Sequence, residues 1–162
     1  MANVNLYNAP AGVVGTVTRL QDSRIEPVLL GAAFAAFGLP FKFDGSGKAI
    51  PIAASDTAAA FKGVIVRNAP SISGNTSEGF ADGIPNQEAA QGGLRSGYIS
   101  VLCKVGTPVK GGIVYMRVVA DTGKLVGDFE ATSDTTNSVA LVGVEWAVSG
   151  KDANNITELY IK

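Results

Sequence analysis

Glycine and proline interrupt every stretch of this chain longer than about 12 residues that would sustain a helix. There are 20 glycines and seven prolines in 162 residues. A glycine inside a helix is less favourable than alanine by about 1 kcal/mol, because it loses more backbone freedom on folding. The pattern therefore selects short extended elements joined by turns.

The apolar runs between these breaks fit strands. Residues 24–30 (RIEPVLL) form one candidate, with Pro27 pointing to an edge or a bulge because it cannot donate to a ladder. Residues 39–43 and 48–52 flank Asp44-Gly45-Ser46-Gly47, the signature of a hairpin turn. Ser55-Asp56-Thr57 is placed to cap a single helical turn at 58–60, and residues 61–67 (FKGVIVR) resume a strand. Residues 71–93 read as a long loop, with one helical turn at 86–91. A loop of that length usually has a role such as contact with a partner. Further strands are expected at 97–105, 113–120, 129–132, 139–148 and 156–161. Strands recurring every ~10–15 residues between Gly and Asp turns indicate an all-β fold, a β-sandwich or jelly-roll-like barrel with at least seven strands and long loops.

Within 139–148, period two places Trp146, Val144 and Val142 on one face and Leu141, Gly143 and Glu145 on the other. Trp146 is expected inside, against Val101 or Cys103. Residues 1–23 lack any sustained period and read as an extended N-terminal arm preceding a single β domain at 24–162. Leu6, Tyr7, Val13, Val14 and Val17 are its candidate protein-interaction residues. Too scattered to build an element of their own, they need a surface to order against.

The chemistry open to the chain is narrow. It has no histidine, which removes most zinc sites and every Ser-His or Cys-His nucleophile. Its single cysteine, Cys103, has apolar alternation neighbours in Val101 and Val105 and reads as a core side chain. Asp44-Gly45-Ser46-Gly47-Lys48 lacks the spacing of a phosphate-binding loop and no helix follows it. Asp121, Asp128, Glu130 and Asp134 match no calcium loop and are expected in solvated turns. A net charge of −1, with aromatics set among apolar residues, offers nothing to nucleic acid. The most apolar run, 27–41, is too short to cross a bilayer, and the first residues lack a signal peptide's features. No catalytic, metal or cofactor site is expected. Only 17% of residues are charged, against ~25% in ordinary soluble domains, so association is the chemistry left.

The order of these pieces resembles the structural cement, or capsid decoration, proteins of tailed bacteriophages. The matching segments are Phe43-Asp44-Gly45-Ser46-Gly47-Lys48, Ala53-Ala54-Ser55-Asp56-Thr57 and Phe61-Lys62-Gly63-Val64-Ile65-Val66-Arg67. They continue through Gly93, Ser96-Gly97-Tyr98-Ile99-Ser100-Val101 and Val109-Lys110-Gly111-Gly112-Ile113-Val114-Tyr115-Met116-Arg117. The resemblance implies a virion protein, made in the host cytoplasm, on the outside of the head. Its partners would be the major capsid protein and further copies of itself, as a dimer or trimer. It implies no catalytic residue. Two alternative classes stay open: a carbohydrate-binding β-sandwich, for which Tyr98 and Tyr115 are the candidate sugar platforms, and a small enzyme with two acids of perturbed pKa in a cleft.

Overall fold

The computed structural model describes residues 12–67, 84–87 and 89–162. Among the described residues nine strands run in chain order: β1 (Arg24–Val28), β2 (Pro40–Phe43), β3 (Ala49–Pro51), β4 (Gly63–Val66), β5 (Gln91–Val105), β6 (Ile113–Arg117), β7 (Phe129–Glu130), β8 (Ser138–Trp146) and β9 (Ile156–Ile161). Helix among the described residues amounts to two single 3₁₀ turns, Leu20–Asp22 and Ala58–Ala60. The all-β expectation holds.

The long strand β5 organises everything else. Its C-terminal half pairs antiparallel with β9 from Gly97↔Ile161 to Leu102↔Ile156, and parallel with β7 at Cys103↔Phe129. From β7 the ladder continues through β6 and β8 back to β9, which closes a five-stranded barrel. The N-terminal half of β5 instead pairs with β1 and β4, and β4 continues to β2 and β3. The rim of this second unit is tied by Leu29 and Gly31, which exchange backbone hydrogen bonds with Ala49. The switch between units falls at Gly97, whose φ of +119° puts a would-be Cβ 2.3 Å from Ser23 Oγ. Only glycine fits there.

Two apolar cores form, and they do not divide strictly by unit, since Val64 and Val66 of β4 and Leu94 of β5 join the barrel's. The barrel encloses Ile99, Val101, Cys103, Val114, Met116, Phe129, Trp146 and Leu159 with others, as period two on strands closing around one interior requires. The second unit encloses Val28, Leu30, Phe34, Phe37, Phe41, Ala49 and Ile65. Trp146 is in the barrel core with Val101 and Cys103, and its indole N–H donates to Ile113 O at 3.1 Å, the polar partner a buried indole requires.

Several local expectations change. β5 begins at Gln91, so residues 91–93 are strand rather than loop or helical turn. Gly92 and Gly93 sit between β1 and β4, and a Cβ on Gly93 would lie 3.0–3.1 Å from the Phe41 ring and Val28 Cγ1. Glycine is there for close packing, not for a turn. In β8, Leu141 is buried and Val142 is 91% exposed, the reverse of strict alternation. The cause is a bulge: between the pairs Ile113↔Glu145 and Tyr115↔Ala140, β8 carries extra residues, with Gly143 at φ +75°. Past it the phase returns, so Val144 and Trp146 are inside as expected. The hairpin β2–β3 forms as read, with Asp44 Oδ1 accepting from the amides of Ser46 and Lys48. That carboxylate occupies the amides an anion would need. The 58–60 turn forms too, but without a side-chain cap from Thr57. Asp56 instead accepts from the Ala53 amide and pairs with Lys42.

Candidate protein-interaction surface

Of the residues read as contacts, Leu6 and Tyr7 lie outside the described residues, as does most of the expected loop at 71–93. Val13 is exposed, Val14 is half-buried, and Val17 packs partly against the barrel core. Their segment lies along β5 of its own chain. Gly15 N donates to Ser100 O (2.8 Å), Ser100 N to Thr16 O (2.9 Å) and Thr18 N to Tyr98 O (3.1 Å). From the other unit, Arg67 N donates to Gly15 O (2.8 Å) and Arg67 Nε to Val14 O (3.2 Å). Gly15, at φ +85°, makes the approach possible, since a Cβ would come within 2.7 Å of Phe37 Cβ.

Side chains fix the end of this segment. Arg19 donates to Glu158 Oε2 at 3.0 Å, and the Thr18 hydroxyl donates to Oε1 of the same carboxylate. The Arg19 guanidinium also lies over the Tyr98 ring, 3.9 Å from its centroid. Tyr98 faces Tyr160 across the β5–β9 ladder, and their rings stack at 4.3 Å and 15°. The Tyr98 ring is thus engaged by both a guanidinium and a second ring, which makes it a poor platform for a sugar, and Tyr115 is half-buried in β6.

Beside this stack lies a cavity of about 160 Å³, lined by Arg19, Tyr98, Lys110, Glu145, Trp146 and Tyr160 among others. It is below the ~300–1,000 Å³ of small-molecule sites. Glu145 pairs with Lys162 at 2.8 Å on its rim. Sequence reasoning missed Arg19 and Glu158: the β5–β9 register places Glu158 and Tyr160 beside β5, and the pairing of residues 15–18 with β5 brings Arg19 to Tyr98.

The acidic residues at 121–134 are not all solvated. Glu130 is fully buried, and one oxygen accepts from Arg117 Nε at 2.5 Å. Arg117 reaches Asp134 at 3.0 Å and Val119 O at 3.2 Å. Burial opposes the Arg117 charge, but the bonds to Glu130 and Asp134 outweigh it and raise its pKa. Asp134 is held below the usual carboxylate range by hydrogen bonds from Asn137 and Arg117. Asp128 accepts from the Leu125 amide, and Asp121 from that of Thr122. Among the described residues no three potential ligands come together for a metal. Burial pushes the Cys103 thiol up, and it donates to Val105 O at 3.3 Å.

The family model of the XM1 gp53 minor capsid protein matches residues 1–161. The chain belongs to that family. Members of the XM1 gp53 minor capsid family are structural capsid proteins, and the place of this one is the virion. A chain from the capsid of Myoviridae phage XM1 shares the fold, with a TM-score of 0.73 at 16% identity over 100% of this chain and 97% of that one. No curated protein matches the sequence.

Proposed function

We propose that this minor capsid protein is a non-enzymatic cement protein, bound outside the head and bridging neighbouring major capsid proteins. The observation that carries this reading is the anchoring of residues 12–19 along β5. Hydrogen bonds from Gly15, Thr16 and Thr18, with the Arg19–Glu158 pair, start residues 1–11 from a fixed point on the barrel. Fully extended, those residues reach at most about 40 Å. A domain of this size has a radius of gyration of about 15 Å, so the segment is long enough to cross onto a neighbour.

Leu6 and Tyr7 are the anchors on that neighbour, while Val17 serves the protein's own barrel. Many weak contacts repeated over a shell gain from multivalency, so no single contact has to be strong. Copies of the protein, as dimers or trimers, meet through the same arms.

The test is deletion of residues 1–11, followed by co-sedimentation with purified capsids lacking the protein. The truncated domain should melt within a few degrees of the full chain, since the β5 anchoring remains, and capsid occupancy should fall. Full occupancy by the truncated chain would make the segment a solvated tail.

A further inference from the structure

The cavity beside the tyrosine stack has the chemistry of a socket for one acidic side chain. Its charges are unevenly matched. Arg19 is paired with Glu158 and Glu145 with Lys162, whereas Lys110 has no carboxylate partner among the described residues. Among the described residues the lining thus holds Arg19 and Lys110 against Glu145, with Glu158 and Lys162 as the salt-bridge partners of Arg19 and Glu145. Neither the Tyr98 nor the Tyr160 hydroxyl bonds another described residue. The lining residues Lys110, Tyr98 and Tyr160 thus carry donors that no described side chain engages, and such donors match an acceptor bearing negative charge.

Lys110 is also held in place. It sits in a tight turn where its own amide donates to Ser149 Oγ (3.0 Å), Gly111 N to Trp146 O (2.8 Å) and Gly112 N to Val109 O (2.7 Å). Gly111, at φ +75°, ties that turn to the end of β8. The lysine stem consequently starts from a fixed backbone next to the buried indole. Apolar side chains stand exposed nearby: Val109 precedes Lys110, and Ile113 pairs across the ladder with Glu145. Exposed apolar side chains beside an aromatic wall are features of interfaces, and the lysine would add a charge-specific contact to them.

We infer that this socket receives an Asp or Glu side chain of a neighbouring major capsid subunit, with Lys110 as its counter-charge. Charge complementarity selects the occupant: an acidic side chain neutralises Lys110, which has no carboxylate partner among the described residues, and the volume suits a side chain rather than a free ligand. The inference rests on the cement reading and names the chemistry of a second contact, separate from residues 1–11.

The test is co-sedimentation of full-length protein with capsids lacking it, over a range of salt concentrations, for the wild type, K110E and K110R. Lys110 makes no side-chain contact to a described carboxylate, so K110E should melt as the wild type does. Its apparent affinity for capsids should fall about tenfold or more, K110R should retain most binding, and the salt dependence of binding should weaken in K110E. Equal binding by the wild type and K110E would overturn the socket while leaving the cement reading intact. Failure of the wild type itself to bind would overturn both. A changed oligomeric state of isolated K110E at unchanged capsid binding would make a second copy the occupant and overturn the capsid assignment.

Discussion

Arg117 and Glu130 form an ion pair at 2.5 Å with both side chains fully buried, joining β6 to β7. Breaking such a pair by removing one partner leaves an uncompensated charge out of water, at a cost of about 3–5 kcal/mol. E130A should therefore lower the unfolding free energy in urea by about that amount. The double variant R117M/E130L should lose much less than the two single changes added together, because it leaves no fully buried orphan charge; Asp134 loses Arg117 but its side chain is one-third exposed.

Trp146 is the sole tryptophan and is buried. Its emission should be blue-shifted in the native protein and move to the red on unfolding. W146A removes the indole and its bond to Ile113 O, and should destabilise the chain by about 3–5 kcal/mol. A loss below about 1 kcal/mol in denaturant titrations would contradict its core position.

Acid should weaken the fold through Asp134 and Asp56. The pKa of Asp134 is lowered by Asn137 and Arg117. For Asp56, burial acts upward, but bonds from Lys42 and the Ala53 amide bring the net value down. A carboxyl with a depressed folded pKa contributes stability above its unfolded value of about 3.9 and loses it as pH falls through the lower folded value. Melting temperature should thus decline below about pH 4, and less steeply in D134N, whose own stability at pH 7 starts lower.

G97A should destabilise the protein by more than 1 kcal/mol, since the new methyl group meets Ser23 and the backbone is at positive φ. G45A is the control, because its Cβ would meet nothing within 4 Å. It should stay within about ±0.5 kcal/mol in the same denaturation assay.

Much of the architecture is legible in the sequence because local chemistry and tertiary structure agree there. Asp44 to Gly47 form the turn that their own side chains favour, and Pro27 lies on β1, which has β5 as its ladder partner. Where glycine serves packing instead of turning, the reading fails. Gly92 and Gly93 look like loop and are strand, and Gly143 reverses the faces of Leu141 and Val142. The candidate surface is less legible for a different reason. Arg19, Tyr98, Glu158 and Tyr160 are separated by up to 141 positions, and no local period records the ladder that joins them. Glu130 likewise looks like one acid among several until β7 places it against Arg117.

The continuity of β5 makes the two cores one mechanical and thermodynamic body. Separating the units would require Gln91–Ser96 to leave β1 and β4, or Gly97–Val105 to leave β9 and β7, while the covalent strand between them stays whole. A pull applied to the barrel is carried straight through the backbone at Gly97 into the second unit. There it meets antiparallel hydrogen bonds lying across the strand, which share the load in shear instead of opening one at a time. Force entering either unit is therefore borne by both.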